Sequence, residues 1–178
     1  MERSVVIAGF GGQGVILAGK ILAQAAMDEG LEVTWLPSYG PEMRGGTANC
    51  TVVLSDEPVG SPIVDEPTAL IALNLPSLDK FEKTVAKGGA IVTNRSLIDR
   101  ALSRRDVAES GVRMNDLAAK AGNPRTINMV ALGAYLKATG FLPLETIKRA
   151  MARMLEADGK GKLVEANAKA LDEGYHAA

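Results

Sequence analysis

Apolar and polar positions divide the chain into alternating strand and helix patterns. Ser4-Val5-Val6-Ile7-Ala8 is apolar on both faces and β-branched, which predicts a buried parallel strand. Val15 to Met27 is rich in Ala and Leu and reads as a helix, with Gly30 as its stop. Leu31 to Leu36 returns to strand character, so residues 4–36 have the length of one parallel crossover unit. Thr47 to Leu54 predicts a strand. Ala69 to Leu73 predicts another buried one, ended by Asn74, and Ala90 to Thr93 a further one after Gly88-Gly89. Pro76 suits the first position of a helix running to about Val85. Beyond residue 95 the pattern is helical. Ile127, Val130, Ala131, Ala134 and Tyr135 share one face of a helix over 126–137. Leu144, Ile147, Met151 and Leu155 line a second helix after Pro143, and 163–175 reads as a third.

Six of the eight prolines fall between residues 37 and 76, so 37–46 and 55–67 read as loops. The expectation is an α/β fold: an open, mostly parallel sheet with helices on both faces, Rossmann-like, with a helical C-terminal third. A chain of 178 residues with no long linker suits a single domain over 1–178.

Charge and composition narrow the function classes. The net charge is -1 and no basic run occurs, which gives no footing for nucleic acid. Residues 1–89 hold 6 Lys/Arg against 11 Asp/Glu, and residues 90–178 hold 14 against 10. That asymmetry suits either partner surfaces or ordinary solvated faces. No stretch nears the ~18 apolar residues of a membrane span, and the N-terminus enters a strand too soon for a signal peptide. A cytoplasmic location is expected. There is one cysteine, Cys50, and one histidine, His176. A four-thiolate iron–sulfur cluster or a structural zinc site cannot be assembled from these. Cys50 lies mid-strand and reads as a small buried hydrophobe. His176, near the C-terminus, reads as a frayed tail residue and a poor general base. Met129, Met151 and Met154 read as core filling.

Two segments carry candidate chemistry. Gly9-Phe10-Gly11-Gly12-Gln13-Gly14 joins a strand to a helix and satisfies G-x-G-x-x-G. Glycines there permit a tight turn and close backbone approach, and the helix start offers N–H groups to an anion. A dinucleotide site also wants an acid at the end of the second strand. That strand ends Trp35-Leu36-Pro37-Ser38, and Glu32 stands at its other end. The turn therefore serves either close strand–helix packing, or an anionic ligand or partner backbone. The second segment, Ser38 to Gly46, follows the second strand at the carboxyl edge of the sheet. Tyr39 could stack or donate there, and Arg44 could grip a phosphate or carboxylate. Asn74 and the Asn123–Asn128 stretch could reach the same crevice, or merely cap the helices that follow them.

Gly9 to Val15, followed by Pro37-Ser38-Tyr39-Gly40-Pro41-Glu42-Met43-Arg44-Gly45-Gly46, resembles the gamma subunit of 2-oxoacid:ferredoxin oxidoreductases. The likeness continues through Thr47 to Asp56 and Asn74-Leu75-Pro76 and covers essentially the whole chain. It implies an assembly that oxidatively decarboxylates a 2-oxoacid to an acyl-CoA and reduces ferredoxin. Thiamine diphosphate and iron–sulfur clusters would sit in the alpha, beta and delta partner subunits. The isolated chain would be inactive, with no catalytic residue of its own. Coenzyme A is the one cofactor the resemblance brings to this chain. Carried over position by position, Gly11, Gly12, Gln13 and Gly14, with Ser38, Tyr39, Gly40, Arg44, Gly45 and Gly46, would shape the coenzyme A or subunit contact. The resemblance leaves the 2-oxoacid open, including an arylpyruvate. A stand-alone nucleotide-binding reductase is the competing reading.

Overall fold

The computed structural model describes residues 1–39 and 47–178. Among these residues six strands form one sheet: β1 (Glu2–Phe10), β2 (Glu32–Tyr39), β3 (Thr47–Ser55), β4 (Ala69–Ala72), β5 (Ala90–Asn94) and β6 (Ala108–Val112). Their order is β2-β3-β1-β4-β5-β6. β1, β4, β5 and β6 pair in parallel, whereas β3 pairs antiparallel with both β1 and β2. The sheet is thus mostly parallel in strand direction, with β3 the one reversed strand. Six α-helices among the described residues complete the α/β fold: α1 (Val15–Asp28), α2 (Leu75–Phe81), α3 (Met114–Lys120), α4 (Ile127–Thr139), α5 (Leu144–Ala157) and α6 (Val164–Ala177).

The alternation of strand side chains divides the core between two unequal faces. Val5 and Ile7 of β1, Cys50 and Val52 of β3 and Ile71 of β4 point to one face, where α1, α4, α5 and α6 pack. Val6, Ala8, Leu70 and Ala72 point to the other, which is covered by Leu78 of α2 and Ile98. Met129 and Met151 are fully buried on the larger side, as core filling requires.

Several local expectations are corrected. Pro37, Ser38 and Tyr39 belong to β2 rather than to a loop. β2 is an edge strand, so a residue without an N–H can sit there. β1 and β2 are not neighbours, because β3 lies between them. Residues 108–112 form β6, a strand the helical reading of the chain beyond residue 95 missed. Leu75 opens α2, which puts Pro76 one position later than expected. His176 is not frayed: it lies inside α6, with Nδ1 2.8 Å from the Asp172 carbonyl oxygen. Gly30 does stop α1. Its N–H donates to Met27 O (3.0 Å) and that of Leu31 to Ala26 O (3.1 Å), the paired closure of a helix end.

Candidate functional site

β1 and β4 end side by side where the chain reverses its direction of travel across the sheet, the crevice in which open α/β sheets take ligands. The glycine turn leaves β1 at this point. The Gln13 N–H donates to Phe10 O (3.1 Å). Gln13 Oε1 in turn accepts from Phe10 N (2.6 Å) and from Asn74 Nδ2 (3.3 Å). The Gln13 side chain thereby folds back and bridges the ends of β1 and β4. Asn74, buried, also accepts from Ser77 N (2.9 Å) and caps α2, so its capping and crevice roles coexist.

Gly12 and Gly14 sit at φ 92° and 75°, the left-handed region that other residues enter at a cost. A Cβ on Gly12 would meet nothing within 4 Å among the described residues. A Cβ on Gly14 would lie 2.7 Å from Asn128 Cγ. Asn128, from α4, occupies that space and donates from Nδ2 to Gly14 O (3.1 Å). The start of α1 is therefore gripped from two sides: Gln13 holds the turn to β4, and Asn128 holds it to α4. Gly14, the residue before α1, gives no side-chain cap, and no acid occupies the first turn. The first N–H groups of the helix are left for water or a ligand, at the positive end of its dipole.

Beside this turn opens a cavity of about 420 Å³ lined by Phe10, Gly11, Gly12, Ile16, Lys20 and Ala48, among others. Lys20 is the one charged group among its described lining residues, and its Nζ stands 5.2 Å from the centre of the Trp35 ring. Ser38, exposed on β2, is level with Asn49 of β3, which is level with Ala8 of β1. Ser38 and the end of β2 thus share the carboxyl edge with the turn, two strand spacings (~10 Å) away. Gly40, Arg44, Gly45 and Gly46 lie outside the described residues. Asn123 accepts from Arg125 N (3.0 Å) and caps the short 3-10 turn before α4.

Cys50 is no part of this site. Burial pushes its thiol up to about 12, and its Sγ lies 3.5 Å from Val15 O beneath α1. Gln13 and Asn128 carry the structure of the turn. Gln13 belongs to the expected set, whereas the sequence places Asn128 only at the edge of the cleft. A helix-start asparagine downstream of a glycine turn was the signal present, and its partner lies 114 residues away.

The geometry departs from a dinucleotide site in the manner the strand ends foretold. Glu32 stands six residues before Ser38 on β2, ~20 Å from the carboxyl edge at the rise of an extended strand.

Among the described residues no helix is long and apolar enough to cross a membrane. The model of the pyruvate ferredoxin/flavodoxin oxidoreductase family matches residues 4–177. The ketoisovalerate oxidoreductase subunit VorA of Methanothermobacter thermautotrophicus is 44% identical over 173 residues, 97% of this chain; the chain spans 36% of that relative's length. The gamma subunit of a keto/oxoacid ferredoxin oxidoreductase from Geobacter sulfurreducens superposes with a TM-score of 0.84 at 31% identity, over 99% of this chain and 98% of that one. The 2-oxoglutarate:ferredoxin oxidoreductase of Magnetococcus marinus, with 2-oxoglutarate, coenzyme A and succinyl-CoA bound, superposes with a TM-score of 0.89 at 25% identity, over 99% of this chain and 31% of that one. With the family model matching residues 4–177, the chain belongs to the pyruvate ferredoxin/flavodoxin oxidoreductase family.

Proposed function

We propose that this chain is the gamma-type component of a 2-oxoacid:ferredoxin oxidoreductase, forming one wall of the path by which coenzyme A reaches an active centre held by partner subunits. In this reading residues 1–178 act as one domain, and thiamine diphosphate, the iron–sulfur clusters and the docking of ferredoxin belong to alpha, beta and delta partners. The observation that carries the reading is the acid-free start of α1, without a side-chain cap and held by Gln13 and Asn128, beside a cavity whose charged lining among the described residues is Lys20.

An anion-bearing ligand fits this turn. Among the described residues nothing stands over Gly12, and the α1 dipole and Lys20 both favour negative charge. Thiamine diphosphate and clusters do not suit this chain's donors. Its one thiol is buried and raised, and no group of three His, Cys, Asp or Glu among the described residues could hold a metal. Coenzyme A supplies, when bound, the thiol that takes the acyl group. This chain's residues bind and orient it: N–H groups of Gly12, Gly14 and the first turn of α1 donate to a phosphate, and Lys20 neutralises it. Arg44, Gly45 and Gly46, with Ser38, Tyr39 and Gly40, are assigned to the same coenzyme A contact by their place in the motif.

The test is the assembled enzyme carrying Lys20→Ala or Arg44→Ala. Each lost charge-assisted contact should raise KM for coenzyme A about tenfold or more, with subunit content unchanged. Lys20→Arg should recover most of the loss. Coenzyme A kinetics unchanged in both alanine variants would refute the anion role.

A further inference from the structure

A second cavity, of about 260 Å³, opens at the opposite, amino edge of the sheet. It lies where β1, β4, β5 and β6 begin, a full strand length from the glycine turn. Arg3 and Lys87 line it, together with Thr68, Gly88, Tyr135 and Thr139. No carboxylate is among its lining residues, and neither Arg3 nor Lys87 forms an ion pair among the described residues. The acid that acts on Lys87, Asp106, is already engaged: Arg104 donates to it from Nε (2.8 Å) and Nη2 (2.6 Å).

The rest of the wall is committed. Thr68 exchanges three hydrogen bonds with Ser4, Thr139 Oγ1 donates to Tyr135 O (2.8 Å), and the N–H groups of Gly88 and Gly89 donate to Asp106 O and Ala86 O. Tyr135 is 2% exposed and reaches the cavity from α4. Burial pushes its phenol up to about 12, outweighing Thr139 and Arg3, so at neutral pH it is a neutral hydroxyl able to donate. Among the described residues, two cations without an ion pair and a buried hydroxyl line one concave space with no acid beside them.

We infer that this amino-edge cavity is a second ligand site, selective for a small oxyanion held by Arg3 and Lys87 with Tyr135 beneath it. The ligand class is a small molecule bearing a carboxylate or a phosphate. The site is separate from the coenzyme A reading and stands or falls without it.

The experiment follows backbone amide shifts of the full chain during titration with inorganic phosphate, with acetate, and with chloride at matched ionic strength. The expected result is saturable shifts at Gly88, Gly89 and Ala108 with phosphate or acetate, and none with chloride. Two charge-assisted contacts give a dissociation constant of order 1 mM. Tighter phosphate binding points to a phosphorylated ligand, tighter acetate binding to a carboxylic acid, and either supports the site. Arg3→Ala and Lys87→Ala, both at surface positions, should each weaken binding about tenfold. Tyr135→Phe should weaken it with the amide spectrum otherwise unchanged. The inference is overturned if chloride reproduces the shifts, if neither anion saturates, if shifts are confined to Gly11–Gly14, or if the Arg3→Ala/Lys87→Ala double variant binds as well as the parent.

Discussion

Replacing Gly14 by alanine makes two demands on the chain at once. The backbone must keep φ 75° with a Cβ present, which costs about 1–2 kcal/mol for an L-residue. The new methyl must also share space with Asn128, whose Cγ would be 2.7 Å away. Asn128 is 3% exposed, and its Oδ1 accepts from Met129 N (3.0 Å) while its Nδ2 donates to Gly14 O. Driving the amide aside breaks the Gly14 bond and strands a buried donor, a further cost of about 1–3 kcal/mol. Gly14→Ala should therefore destabilise by about 2–5 kcal/mol in total. Gly12→Ala is the control: its φ is 92°, but its Cβ would meet no described residue within 4 Å, so only the first cost of about 1–2 kcal/mol applies. Urea unfolding of both variants gives the comparison, as a lower midpoint at unchanged slope. A cycle with Asn128→Ala isolates the clash. In that background Gly14→Ala should fall to the cost seen at Gly12, a coupling of about 1–3 kcal/mol. Equal destabilisation of Gly12→Ala and Gly14→Ala, with no coupling to Asn128, would refute the claim that α4 clamps the turn.

Two other consequences can be measured on the same protein. Glu82, buried, accepts from Arg100 Nη2 (2.8 Å) and from the Ser103 N–H; burial raises its pKa, but these donors win and hold it below its ordinary 4.5. A carboxylate lowered in the folded state contributes stability that is complete above pH 4.5 and is lost as the pH falls through the folded-state value. Glu82→Gln should accordingly lower stability at pH 7 and flatten its decline below pH 4.5, and an unchanged acid limb would rule the pair out as its source. Raising Cys50 from 9.0 to about 12 cuts the thiolate fraction at pH 7 about 1000-fold. Native protein should then react with iodoacetamide at least that much more slowly than protein in denaturant, and modification of the native chain at the denatured rate would contradict its burial.

What the sequence made legible was what local chemistry decides. Val5-Val6-Ile7-Ala8 has no polar face to offer water, so its burial could be read directly. Gly30 and Asn74 act on groups within a few residues, and both terminate or start helices as expected. Tertiary pairing decided the rest. β6 reads Ala-Glu-Ser-Gly-Val, with neither alternation nor β-branched enrichment, and it is a strand because β5 offers it an edge. β2 continues through Pro37 because its partner β3 lies on one side only. The antiparallel insertion of β3 between β1 and β2 left no local mark. At the site, the glycines and Gln13 could be picked out by motif. The contacts that fix the turn, Gln13 to Asn74 and Asn128 to Gly14, span 61 and 114 residues, beyond any periodicity.

The central claim, that this chain works as one wall of a multi-subunit enzyme, is tested most directly by omission. The gene is expressed with genes for the proposed partner subunits, and 2-oxoacid- and coenzyme A-dependent reduction of ferredoxin is measured with and without this chain. A subunit role requires that the chain co-purifies with the proposed partners in fixed ratio, that omitting it abolishes turnover, and that adding it back restores turnover. Full activity in its absence, or reduction of a 2-oxoacid or binding of NAD(H) by the chain alone, would contradict the account.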